Sequence, residues 1–516
     1  MTTIAHAPHH VGSTIPHPPQ PVWNVRVATG LGGVLIAAMM SGLNNRVGAL
    51  ALVDIAGARG FSADDAHFLG TVYAAAELAA MPIAAWCAGT FSLRRFHMGI
   101  TIVFLICGLL LPCAPSYGWM IALRALQGFA GGAMIPLLMS AALRFLPPPI
   151  KLHGLGLYSL TATFSPNVAL WLAAAWTDGL GDWRFTYWEV FPVALFVLCA
   201  VSWGIPQDPV RTERLREMDL PGLLTGPAGL ALLAYALEEG ERLAWFRSPH
   251  ITGAFIAGGG LIAAFLISEW FHHQPFVKLQ LLERRNFGLG FPLFVVMLIV
   301  IIATAVLPAV LLGEVQHFRP LQMAPIGLII ALPQLILAPL ASALLYQRWM
   351  DARWAMAVGL LLIALSCWLC SGVTSEWMVR QFWFAQLCQM IGQPLAVVSF
   401  LYLAVGICAP MEGPFVSGFV NTLKTLSSIC GAVFVERLLV VGGSAHLRGM
   451  TDRAGRLGET TAASDPGLLE RFTHQATTLA VVDSYRIVGL LALLLAPLTL
   501  LLTRVPPPEV PRPTKD

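Results

Sequence analysis

Gly288 to Leu312 reads GLGFPLFVVMLIVIIATAVLPAVLL, and no charged side chain interrupts it. Coiled at about 1.5 Å per residue, such a run crosses the roughly 30 Å hydrocarbon core of a bilayer as one helix. Its continuous Leu, Val and Ile content lacks the strict alternation of a barrel strand. Outward from it the pattern repeats: fourteen apolar runs lie near 27–52, 66–88, 97–114, 118–143, 154–176, 186–205, 221–238, 251–270, 288–312, 322–346, 355–371, 379–405, 413–439 and 482–503. The composition agrees, with 57% hydrophobic and only 11% charged residues in 516, against roughly 25% charged in a soluble domain. The reading is an all-α integral membrane protein of fourteen spans.

The basic residues orient it. With the N-terminus cytoplasmic, the inner short loops hold Arg94, Arg95, Arg144, Lys151, Arg211, Arg214, Arg216, Lys278, Arg284, Arg285, Arg348 and Arg353, while the outer ones hold Arg59, Arg184, Arg242, Arg247, Arg319 and Arg380. Cytoplasmic loops carry the excess of Lys and Arg, so both termini are expected inside. Residues 1–22 are polar and contain His6, His9, His10 and His17 without an apolar signal-peptide core, and are read as a disordered cytoplasmic tail. The nine cysteines lie in or beside apolar runs and read as packing residues; no metal site and no cofactor is expected. The net charge of +3 is not clustered as a nucleic-acid partner requires.

The runs group as six, two and six. An N-terminal six-helix bundle covers 23–206, a linker with two extra helices 207–285, and a C-terminal six-helix bundle 286–504, with a long polar loop at 442–483 expected outside and a cytoplasmic tail at 505–516. Paired six-helix halves around a central cavity tilt the reading toward transport.

The words inside the spans sharpen this. Leu123-Arg124-Ala125-Leu126-Gln127-Gly128-Phe129-Ala130-Gly131-Gly132 resembles the fourth-helix signature of the major facilitator superfamily, and Asp182-Trp183-Arg184 with Pro192 resembles the start of its sixth helix. Leu237-Glu238-Glu239-Gly240-Glu241-Arg242, Leu281-Leu282-Glu283-Arg284-Arg285-Asn286-Phe287 and Asn421-Thr422-Leu423-Lys424-Thr425-Leu426 are similar to its fourteen-span drug/proton antiporters of the EmrB and QacA type. The resemblance implies the major facilitator fold, proton-driven export, and a periplasmic adaptor with an outer-membrane channel as partners. It also has departures. Asn44 stands at the usual first-helix acid, Gly89 replaces the acid of the loop after the second span while Arg94 and Arg95 remain as conformational-loop candidates, and the fifth-helix antiporter motif survives only as Ser165-Pro166 then Ala169-Leu170.

A charge at mid-bilayer costs roughly 2.5–3.5 kcal/mol even on lenient scales, so each that persists needs a partner or a wet cavity. Arg46, Glu77, Arg124 and Lys424 are deep, with Glu189 nearer the end of its span. Glu77 is the proton-coupling candidate, or else a neutralising partner for Arg46 or Arg124. Arg124 and Gln127 share a helix face and serve either as an anchor between helices or in handling protons or substrate. Arg46 with Asn44 or Asn45, and Lys424 with Asn421, are candidates for holding a carboxylate; Gln389 and Gln393, beside Pro394, are candidates for hydrogen bonding to substrate. Three deep cations against one deep acid suggest an anionic substrate.

The expected function is therefore a secondary active transporter in a bacterial inner membrane, coupled to protons and exporting an amphipathic, anionic organic compound or drug. An importer or facilitator of organic acids, or a non-transporting sensor, are the alternatives. No His, Asp or Cys cluster stands at catalytic spacing, so no enzyme is expected.

Overall fold

Backbone groups in lipid must be satisfied within the chain, so each apolar run has to coil on itself. The computed structural model describes residues 23–147, 150–408, 412–456 and 466–506; among them there are helices and no strand. Fourteen helices build the bundle: α1 Val25–Leu50, α2 Ala63–Phe91, α3 Leu93–Leu110, α4 Tyr117–Phe145, α5 Lys151–Ala174, α6 Val190–Gly204, α7 Leu220–Glu238, α8 Pro249–Phe271, α9 Gly290–Glu314, α10 Pro320–Leu345, α11 Ala352–Cys370, α12 Trp383–Val405, α13 Gly413–Arg456 and α14 Pro466–Leu498. Short turns at Phe185–Trp188, Arg285–Gly288 and Val379–Phe382 lead into α6, α9 and α12. Counted with these, thirteen are long and apolar enough to cross a membrane. The other is α5, 24 residues long but carrying Ser159, Thr161, Thr163, Ser165 and Asn167.

Local chemistry sets the helix starts. Asn24 caps α1 by accepting from Val27 N at 2.9 Å, and Ser62 and Asp65 form a reciprocal capping box at the start of α2. Asp219 caps α7 through Gly222 N at 2.9 Å.

The two six-helix halves repeat one packing scheme. In the first, α1 touches α4, α5 and α6, while α4 and α6 both pack on α3 and α2 lies along α4; in the second, α9 touches α12, α13 and α14, with α12 and α14 on α11 and α10 along α12. The contacts between the halves repeat as well, α2 with α13 and α5 with α10. The extra helices α7 and α8 pack on each other, and α7 leans on both α2 and α13.

The halves are drawn together on the face where α1 begins. Leu152 N donates to Tyr346 Oη at 3.1 Å, Ser417 donates to the Pro136 carbonyl, and Gly156 lies directly against Ala338 and Ser342. On the opposite face α5 and α10 remain joined by Asp178 and Arg319 at 2.7 Å. There α2 and α13 share their contact with α7 through Ala74, Leu78, Leu230, Ala234, Ile429 and Val433.

One expectation is corrected. The stretch 442–483, read as a polar loop, is for its greater part helical: α13 runs 44 residues to Arg456 and α14 begins at Pro466. At about 1.5 Å per residue α13 spans roughly 66 Å, twice the hydrocarbon core. Outside lipid a helix needs no apolar run; here Gly442 lies against Ala480, and His446 Nε2 meets Asp483 at 2.8 Å. The expected tail at 1–22 lies outside the described residues, as does that at 505–516 beyond Val505 and Pro506.

Candidate functional site

Small residues on α4 place the central carboxylate. Gly128, Gly131 and Gly132 let α4 approach α2 so closely that a Cβ at Gly132 would collide with the Glu77 carbonyl, and one at Gly128 with the Tyr73 backbone. That contact holds Glu77 buried, with its carboxylate accepting from Asn45 Nδ2 of α1 at 3.4 Å. Across the interface, Lys424 of α13 donates to Thr161 Oγ1 of α5 at 2.9 Å and lies 5.5 Å over the Tyr158 ring. Tyr158 in turn donates to Asn421 Oδ1 at 2.6 Å.

Asn45, Glu77, Thr161 and Lys424 line a cavity of about 260 Å³ between the halves. Arg46, Asn45, Glu77, Thr161 and Lys424 lie deep in it, while His67 and Glu238 stand near the opposite face; Leu298, Ile302, Val306 and Ile429 form an apolar wall. A second cavity of about 430 Å³ adjoins it, sharing Arg46, Ile302 and Val306 and reaching Asn167, Gln386 and Glu314. Among the described residues no ion pair within 4 Å joins Glu77, Arg46 or Lys424 to any partner. The deep part thus sets two cations and one carboxylate beside a hydrocarbon surface.

The remaining candidates line neither cavity. Asn44 is fully buried and donates to the Thr186 carbonyl at 3.1 Å, tying α1 to the turn before α6. Arg124 is 1% exposed, stacked 4.3 Å over the Tyr73 ring and 5.5 Å from that of Tyr187, with its Nη1 on Gln127 Oε1 at 3.0 Å. It is a cation held by rings and an amide inside the first half, with its Nε left without a hydrogen-bond partner among the described residues. Gln393 donates to Gln389 at 3.1 Å and accepts from Gln334 at 3.1 Å and Asn167 at 3.4 Å, a relay joining α5, α10 and α12. Asn421 reaches the site through Tyr158. Arg94 is half-buried and Arg95 exposed, and neither has an ion-pair partner among the described residues. At their face the bidentate pair of Arg144 with Asp208, at 2.6 and 2.7 Å, ties α4 to the segment after α6, and Arg214 lies against Gly89. Glu189 accepts from Trp176 Nε1 at 2.5 Å.

Sequence reasoning missed Thr161, Thr425, Ser428 and His67, all on the cavity wall. The polar alternation of α5 was the available signal for Thr161. It also missed the cluster beside His67. Glu239, buried after α7, accepts from Thr71 Oγ1 at 2.7 Å and Arg242 Nε at 2.6 Å and sits 3.4 Å from His67 Nδ1. Burial acts to raise its carboxyl, but the hydrogen bonds from His67, Thr71 and Arg242 outweigh it and hold the group at about 2.

Residues 34–432 match the family model described as Major Facilitator Superfamily. The chain belongs to the major facilitator superfamily. As a superfamily member it is a multi-pass membrane transporter, not an enzyme. Among its relatives is the colistin resistance protein EmrB of Acinetobacter baumannii, 22% identical over 83% of this chain and 82% of the relative. Another is the fatty acid resistance protein FarB of Neisseria gonorrhoeae, 23% identical over 78% of each. The solved structure of XylE, a proton:xylose symporter of the major facilitator superfamily, superimposes with a TM-score of 0.52 at 14% identity, covering 90% of this facilitator and 96% of XylE. The resemblance to EmrB-type members is accordingly that of a divergent member of the superfamily.

Proposed function

We propose that this facilitator exports an amphipathic organic anion across a bacterial inner membrane, with both termini cytoplasmic, in exchange for protons carried by Glu77. The observation that carries this reading is the deep part of the cavity, where Arg46 and Lys424 come from opposite halves and flank Glu77 beside an apolar wall. A carboxylate lodged between the two cations relieves the cost of holding them out of water, and its hydrocarbon portion covers Ile302, Val306 and Ile429. The relative named for fatty acid resistance supports an amphipathic acid as the substrate class. Alternating access follows from rocking of the repeated halves around this site. The resemblance to fourteen-span drug/proton antiporters implies a periplasmic adaptor and an outer-membrane channel that complete the pathway.

Flux of a medium-chain fatty acid in proteoliposomes with an imposed pH gradient tests it. Uptake driven by the gradient, a loss of about tenfold or more in Arg46→Ala and Lys424→Ala, and gradient-independent exchange in Glu77→Gln are expected. Flux that ignores the gradient sinks the antiport reading; full flux in Arg46→Ala with Lys424→Ala sinks the anionic substrate.

A further inference from the structure

A second cluster of chemistry-bearing side chains lies away from this cavity, on the face opposite the start of α1. Glu470 and His474 stand four residues apart on α14, and therefore one above the other on the same helix face. His317 meets them from the connection between α9 and α10. The donor atoms of the three residues all lie within 4.8 Å of one another. The two imidazoles are 5.4 Å apart, centroid to centroid, with their planes at 63°.

His317 is placed there by its backbone. Its φ is +54°, a left-handed conformation that a residue with a Cβ rarely adopts. The turn is pinned on both sides, by Phe318 N on the Leu312 carbonyl at 2.9 Å and by the Gln316 amide on the Ser375 carbonyl.

We propose that His317, Glu470 and His474 form a zinc site that clamps the α9–α10 connection to α14. Two imidazole nitrogens and one carboxylate oxygen are a donor set for Zn2+, whereas Mg2+ and Ca2+ take oxygen ligands. Bonds of about 2.0–2.1 Å put neighbouring tetrahedral ligands roughly 3.3 Å apart. The side chains therefore close by an ångström or so, a movement open to His317 and Glu470, which are exposed. Three protein ligands leave the fourth position to water, so the ion exchanges with solution. The clamp reaches the transport path: Glu314 and Pro320, which flank His317 in sequence, line the larger cavity. Bound zinc therefore holds one wall of that cavity against the α13–α14 hairpin.

The site is tested on the full-length protein in detergent, with His6, His9, His10 and His17 replaced by Ala so that the tail contributes no ligands. Zn2+ is titrated in competition with a chromophoric chelator. One equivalent is expected to bind, with the dissociation constant raised at least tenfold in His317→Ala, in His474→Ala and, independently, in Glu470→Gln. Zinc is expected to raise the melting temperature of the parent and of none of these variants, each melting as the parent does without metal. Unchanged affinity in His317→Ala and Glu470→Gln overturns the proposal, as does equal competition by Mg2+.

Discussion

Arg46 and Arg124 show how two residues that read alike in the sequence separate in the structure. Both interrupt apolar runs and both demanded a partner. Arg124 found Tyr73, Tyr187 and Gln127 inside one half, while Arg46 turned to the cavities between the halves. Depth along a helix is legible from the sequence; direction around it depends on which neighbour packs there. Glu239 makes a prediction at this scale. Its carboxyl sits at about 2 against an ordinary 4.5, so its contribution to stability is fully present above pH 4.5 and is lost as pH falls toward 2. The melting temperature of the parent is expected to fall through that window, and Glu239→Gln is expected to remove that part of the acid dependence. An identical acid limb in the variant shows that the Thr71, His67 and Arg242 bonds contribute nothing.

Among the elements, α4 has the least room for change. Gly132→Ala forces a methyl group into the Glu77 carbonyl, an overpacking expected to destabilise by about 1–3 kcal/mol and to displace the carboxylate. Gly99→Ala on α3, where an added Cβ meets nothing within 4 Å, serves as the control and is expected to melt no lower than the parent. Equal melting of the two variants rejects the close packing of α4 on α2. The helices themselves were legible because lipid leaves the backbone no alternative. The error fell where lipid no longer dictates: beyond about residue 440, α13 and the start of α14 are polar, and a rule built on apolar length cannot see a helix in water. Thr161 was missed for a related reason, since a threonine in an apolar run looks like packing until Lys424 from the other half is beside it.

For the whole molecule, the duplicated contact scheme was invisible in the sequence because the halves preserve which helices touch and not which residues touch. The same duplication makes the α5–α10 seam one of two along which the halves must part. Asp178 and Arg319 close it on the face opposite the start of α1. A partly exposed pair is worth about 0.5–1 kcal/mol, so Asp178→Asn is expected to raise opening there two- to fivefold. Labelling of a cysteine placed at Met323, a buried wall residue of the larger cavity, in an otherwise cysteine-free chain measures it; an unchanged rate removes the pair from the gate. The polar character of α5 carries a last consequence, for how the molecule is made. A segment carrying Ser159, Thr161, Thr163, Ser165 and Asn167 partitions weakly from the translocon into lipid when it emerges alone. Most of these side chains bond to carbonyls of their own helix, and among the described residues the side-chain partners of Thr161 and Asn167 from elsewhere, Lys424 of α13 and Gln393 of α12, are synthesised much later. Until then α5 has α1 of its own half to pack against, so the helix that contributes Thr161 to the cavity is expected to be slow to commit to the bilayer.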